Sequence, residues 1–160
     1  IVAEEVVTEE TATSRPELAA VYRKIHKADP DFTESFFVQG AKLAYEMVLE
    51  AFAKGDHSQL KELLNHSLYL RFAAEIDRRK VSSDYAIFTL VTLKSCKVLE
   101  AKVEAGKAQI KVEFVSEQMC TQYRVEQEPS HRSMLQTDQW TFMRDLKSNK
   151  PDWLLIATEY

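Results

Sequence analysis

The chain has 160 residues, 45% hydrophobic and 29% charged, with a net charge of −4, which suits one globular domain long enough to bury a core. The acidity is local: residues 1–14 hold Glu4, Glu5, Glu9 and Glu10 and no Lys or Arg, so the remaining 146 residues carry 21 acidic and 21 basic side chains. A balanced body lacks the basic face that nucleic-acid binding requires, and no apolar run approaches the ~20 residues needed to span a bilayer.

Residues 1–14 read as an acidic, Thr-rich flexible linker, with a short strand at Ile1–Val7 as the alternative. The chain starts at Ile1 rather than Met and so reads as a fragment, which leaves room upstream for a membrane anchor or targeting segment. Residues 15–160 read as a single domain.

A first helix is expected from Ser14, with Pro16 in its first turn and Leu18, Val21, Tyr22 and Ile25 along one face. Asp29-Pro30 ends it, because the residue before a proline is pushed out of the α region. Asp31, with Glu34 three residues on, predicts the start of a second helix. Its apolar stripe reads Phe36, Gly40, Leu43, Ala44, Met47, Val48, Ala51 and Phe52, and Gly55 closes it. Asp56 and Gln59 cap a short third helix carrying Leu60, Leu63 and Leu64. Ser67 opens a fourth with Leu68, Phe72 and Ile76, closed by Arg78, Arg79 and Lys80 at the negative end of its dipole.

From Tyr85 the period changes from 3.6 to 2. Leu99, Ala101 and Val103 alternate with charged residues, and after Ala105-Gly106, Ala108, Ile110, Val112 and Phe114 alternate with Lys107, Gln109, Lys111 and Glu113, which predicts a tight hairpin. Glu128-Pro129-Ser130 marks a second turn, a strand follows from about Met134 to Asp145, and the turn at Ser148–Pro151 leads to a last strand at Trp153–Glu159. In the third strand Met134, Gln136, Asp138, Trp140, Phe142 and Arg144 share one face, while Leu135, Thr137, Gln139, Thr141, Met143 and Asp145 share the other. Alternation leaves open which face is the core. Helices followed by an antiparallel meander imply an α+β fold, with the helices on one face of a sheet of about four strands.

Two cysteines, Cys96 and Cys120, fit a reducing compartment. With Glu104 opposite Lys107, Cys96 faces Val115 and Cys120 faces Val91. The thiols are then offset by about 17 Å along the strands, too far for a disulfide. His26, His57, His66 and His131 form no i, i+4 pair and no ligand motif, and three glycines cannot supply a phosphate loop, so neither a metal nor a cofactor is expected.

Two stretches resemble a known family. The first is Asp29-Pro30-Asp31-Phe32, then Phe36, Gly40-Ala41, and Gly55-Asp56 before Leu60. The second, more specific, is Trp140-Thr141-Phe142-Met143-Arg144-Asp145, then Pro151, Trp153 and Ala157-Thr158. Together they resemble the Tim44-like domain, the C-terminal domain of the mitochondrial import-motor anchor, over about residues 29–159. The short loops resemble the alphaproteobacterial branch more than the mitochondrial one. The resemblance implies a cone-shaped fold like nuclear transport factor two and peripheral association with an energy-transducing membrane. Mitochondrial relatives tether a chaperone motor to the import channel and bind cardiolipin.

The expected role is therefore a non-enzymatic adaptor on the cytoplasmic face of a bacterial inner membrane, or on the matrix side of the mitochondrial one in a eukaryote. Its expected partners are anionic phospholipid and a translocase or chaperone-type protein. Arg15, Arg23, Lys24 and Lys27 on the first helix are the candidate membrane-binding residues, against an ordinary surface helix as the plain alternative. Phe36, Phe37, Gly40, Tyr45, Phe88 and Trp140, with Trp153 nearby, are candidates for a hydrophobic pocket taking lipid or peptide, although any one of them can equally be core. The rival is an isomerase or dehydratase using Asp138, Tyr85, Tyr123 or His131 in the cone cavity. It requires an ionisable side chain buried beside a substrate-sized space. A third reading is dimerisation through the outer face of the sheet.

Overall fold

The computed structural model describes residues 15–159; the linker expected at 1–14 lies outside the described residues. The described chain runs through four helices, α1 (Pro16–Ala28), α2 (Glu34–Lys54), α3 (His57–Leu63) and α4 (His66–Val81). Four strands follow: β1 (Tyr85–Glu104), β2 (Lys107–Tyr123), β3 (Ser130–Asp145) and β4 (Leu154–Glu159). The strands form one antiparallel sheet in the order β1-β2-β3-β4. This is the α+β fold expected from the order of the elements.

Local chemistry sets the helix ends. Thr33, not Asp31, caps α2: its side chain accepts from the Phe36 amide at 3.0 Å. Asp56 accepts from the Gln59 amide at 3.1 Å, and Asn65, one turn before Leu68, caps α4 in place of the expected Ser67. Gly55 sits at φ +73° and ends α2 in the left-handed conformation that glycine adopts without strain.

The inward face of α2 is Phe37, Ala41, Tyr45, Val48 and Ala51; Val48 and Ala51 belong to the stripe read in the sequence, while Phe37 and Ala41 stand one residue round from its Phe36 and Gly40. Phe36 and Leu43 instead stand 70% and 57% exposed. Two apolar rows run along this helix, and periodicity alone does not rank them. Full burial of a Phe or Val contributes about 1.5–3 kcal/mol. Propensity differences between such residues are below ~1 kcal/mol, so the fit against the sheet decides.

The sheet turns one face to the helices. The inward row of β2 is Ala108, Ile110, Val112, Phe114, Ser116, Gln118 and Cys120, all buried. β3 contributes Asp138, Trp140, Phe142 and Arg144, which resolves its two mixed faces in favour of the even-numbered row. The β1–β2 hairpin turns at Ala105 and Gly106, both with positive φ, as a tight two-residue turn requires. Three bulges then shift the pairing, at Leu90/Thr92, Leu93/Ser95 and Val98/Glu100. As a result Cys96 faces Phe114 rather than Val115, and Cys120 faces Phe88 rather than Val91; both thiols are free. On the far edge, the junction of α3 and α4 docks on β4, where the Asn65 amide donates to the Leu155 carbonyl at 2.9 Å.

The two stretches that carry the family resemblance meet in space. The Arg144 guanidinium donates to Asp29 Oδ2 at 2.6 Å, tying the turn between α1 and α2 to the end of β3. Beside it Phe32, Phe37, Phe142 and Trp153 form an aromatic cluster, with Phe37 and Trp153 edge-on at 4.9 Å. Arg15 donates to the carbonyls of Val98 and Leu99, the backbone groups that the third bulge leaves out of line.

Arg144 holds the Asp29 carboxyl below its usual range through this hydrogen bond. A depressed carboxylate stabilises the fold above its unfolded pKa, and that contribution is lost as pH falls through the folded value. Asp29→Asn is therefore expected to destabilise the domain by about 2–3 kcal/mol at pH 7, because it leaves Arg144 buried without its counter-ion. Urea unfolding should show this gap beginning to shrink below roughly pH 4, where the unfolded-state carboxyl takes up its proton first, and closing as pH falls through the lowered folded value. A gap that stays constant into strong acid would rule out the ion pair as its source.

Candidate functional site

Beyond Phe114 the helices and the sheet diverge. A cavity of about 580 Å3 opens between α2, α4 and the inner face of all four strands. Its walls are Leu49 and Phe52 of α2, Phe72 of α4, Ala86 and Phe88 of β1, and Trp140 of β3. Arg71, Glu75 and Arg79 follow one another at i, i+4 and i+8 along α4, which places all three on the cavity side. Gln118, Gln136, Asp138 and Thr158 complete the lining from the sheet.

The deepest part is polar. Tyr45 is fully buried, its ring stacked on Phe114 at 4.2 Å and tilted against Trp140 at 4.6 Å. Its hydroxyl donates to Asp138 Oδ2 at 2.7 Å, lies 3.0 Å from Ser116 Oγ, and accepts from Gln118 Nε2 at 3.2 Å. Gln136 Nε2 donates to Asp138 Oδ1 at 3.2 Å. Burial, above all, pushes the Tyr45 phenol well above its usual range, and the Asp138 charge adds to this, so Tyr45 stays protonated and donating. Asp138 itself is 5% exposed, and among the described residues no basic side chain lies within ion-pair distance of it. Arg144, on the same row of β3, is engaged with Asp29, and Lys111 of β2 with Glu159.

On α4, Arg79 is buried. It donates to the Phe52 carbonyl at 2.6 Å and lies 4.7 Å from the Phe52 ring centre, and burial lowers its pKa. Glu75 is held by Arg78 through two hydrogen bonds. Arg71 is exposed.

Of the residues proposed for the pocket, Phe88 and Trp140 line the cavity and Tyr45 braces its floor. Phe37 belongs to the aromatic cluster with Trp153, away from it. Phe36 and Gly40 are exposed on α2, with open space around the Gly40 Cα. Among the acid–base candidates, Asp138 faces the cavity. Tyr85 and Tyr123 stack on each other at 5.0 Å, and the exposed His131 pairs with Thr121 on the other face of the sheet. The lining contributed by α4 and by Gln118 escaped the sequence reading. The available signal was the change from apolar to polar in the inward row of β2 at Ser116.

Among the candidate membrane residues, Arg23, Lys24 and Lys27 are exposed on α1, whereas Arg15 is held by the β1 carbonyls. The apolar face of α1, with Leu18 and Ile25 fully buried, packs on the domain. Tyr22 donates to Glu34 at 2.6 Å and ties α1 to the start of α2. No helix among the described residues is long and apolar enough to cross a membrane.

Helices on one face of an antiparallel sheet, parted from it at one end by a cavity, define this as an α+β domain of the cone-shaped kind. The sequence pattern of the Tim44-like domain family matches residues 18–160, and the chain belongs to that family. It is 27% identical over 136 residues, 85% of its length, to the uncharacterized protein RP434 of Rickettsia prowazekii (strain Madrid E); the match spans 57% of that relative. A solved structure of the intermembrane space region of the chloroplast protein ARC6 shares the fold with a TM-score of 0.54, at 9% identity, over 76% of this chain and 94% of that one.

The floor network yields a stability prediction. Tyr45→Phe keeps the ring but removes the donor that Asp138 receives, at an expected cost of about 2 kcal/mol. For a domain of this size that lowers Tm by roughly 4–8 °C. An unchanged melting curve would mean that Asp138 finds another donor.

Proposed function

We propose that this domain is a non-enzymatic binding module of a membrane-associated protein related to translocation anchors. Its cavity would receive part of a lipid or peptide, and α1 would face anionic phospholipid. The observation that carries the reading is the 580 Å3 cavity, walled by Phe52, Phe72, Phe88 and Trp140, in a chain of the Tim44-like family. Family membership supports a place at an inner membrane, on the cytoplasmic side in a bacterium or the matrix side in a mitochondrion, with a translocase or chaperone-type protein as partner.

The membrane contact follows from charge alone. Because Leu18 and Ile25 are occupied by the core, α1 has no apolar face left to insert, and binding rests on Arg23, Lys24 and Lys27. Each contributes about 1 kcal/mol near an anionic surface. Flotation with cardiolipin-containing vesicles should therefore recover the domain in low salt and lose it at about 0.5 M salt, where charges are screened beyond a few ångströms. Replacing all three residues by Glu should abolish recovery. Equal recovery with neutral vesicles would end the membrane part of the proposal.

One observation favours the enzymatic alternative: Asp138 is a buried carboxylate facing a substrate-sized space. A base there would abstract protons next to a carbonyl. The adaptor reading expects no exchange of α-protons when simple cyclic ketones are incubated with the domain in D2O and followed by NMR. Exchange above the buffer rate, removed by Asp138→Asn, would replace it with the enzymatic reading.

A further inference from the structure

We propose that the cavity floor is a receptor for the cationic end of an otherwise apolar guest, an ammonium-type group seated against Asp138. The inference rests on the binding-pocket reading and names the chemistry of its occupant.

Asp138 receives hydrogen bonds from two neutral donors, the Tyr45 hydroxyl and the Gln136 amide, one on each oxygen. A carboxylate accepts about four, so roughly half of its capacity faces the cavity unused. No basic side chain among the described residues balances its charge. A plain hydrocarbon guest would expel water from this carboxylate and return nothing, and an uncompensated buried charge is costly. An ammonium group supplies both the missing charge and further donors. The walls suit the same guest, because the faces of Trp140, Phe88 and Phe72 attract organic cations as well as covering an apolar stem.

Arg71 and Arg79 pull in the opposite direction, towards an anion. Arg79 is already engaged by the Phe52 carbonyl and ring, and Arg71 is exposed to screening water. Glu75, on the same row, is paired with Arg78. Among the described residues neither Asp138 nor Arg79 has an ion-pair partner, but Arg79 has the Glu75 charge one turn away and the Phe52 carbonyl and ring against it, whereas Asp138 has only neutral donors, so a guest enters with its cationic end inward.

Calorimetric titration of the unmodified chain with hexylammonium, hexanoate and hexanol tests this, with the Trp140 indole N–H signal in NMR locating the site. Hexylammonium is expected to bind at least about tenfold more tightly than hexanoate and to shift that signal. In Asp138→Asn, checked for folding by its melting curve, the preference should fall to about one while hexanol still binds. Should that variant not fold, Gln136→Leu serves instead. It strips one neutral donor from Asp138 and should enlarge the ammonium preference. Equal or tighter binding of hexanoate, or a preference that survives Asp138→Asn, overturns the inference. If hexanol binds without any charge preference, the pocket reading stands and this one falls. If none of the three moves the Trp140 signal, both fall.

Discussion

One constraint organises the molecule: β2 must keep every second side chain pointed at the helices for its whole length, while the helices cover only part of it. From Ala108 to Phe114 the inward row is apolar and buried, and at Phe114 it stacks on Tyr45 of α2. At Ser116 and Gln118 the row stays buried but turns polar, because there it has a cavity and a hydrogen-bond network in front of it. An alternating strand has no other way to change partner without slipping register, and a slip of one residue would send the whole row to the wrong face. The bulges in β1 relieve this on the neighbouring strand. They absorb single residues and bend the sheet edge while β2 and β3 stay in unbroken register.

The two ends of the domain divide the work. At one end the residues that carry the family resemblance, Asp29, Phe32, Arg144 and Trp153, contact one another and join the helical layer to the sheet. At the other end lies the cavity, whose lining, Trp140 and Thr158 apart, is drawn from outside those stretches. A recognisable motif here reports a joint, not a binding site. Family membership therefore accounts for the architecture, while the character of the cavity is set by side chains such as Phe52, Arg71, Phe88 and Asp138.

The same division explains what could be read from the sequence. Local signals sufficed for Gly55, for the Asp56 cap and for the Ala105-Gly106 hairpin, because turn and cap chemistry is settled within a few residues. The face of α2 was read only in part: Val48 and Ala51 are buried as expected, but Phe36, Leu43 and Met47 make as good a helical row as Phe37, Ala41 and Tyr45; volume and the Tyr45 hydroxyl, matched to Ser116 and Asp138, break the tie. The register of β1 failed for another reason. No residue in Leu90–Glu100 announces a bulge, so pairing extrapolated from the turn drifted by one residue at each. Half of the predicted pocket set met at the cavity, Phe88, Trp140 and Tyr45; Phe36 and Gly40 lie on the exposed row of α2, and Phe37 is buried at the other end against Phe142 and Trp153.

The grip of Arg15 on the Val98 and Leu99 carbonyls has a mechanical consequence. It sits at the first described residue and fastens the chain to the hairpin-side half of the sheet's longest strand. Tension applied through the preceding segment would be delivered sideways into the β1–β2 ladder rather than unzipping α1 turn by turn. A tethered domain with such an attachment transmits a pull to its whole sheet at once, and gives way only when that lateral clasp lets go.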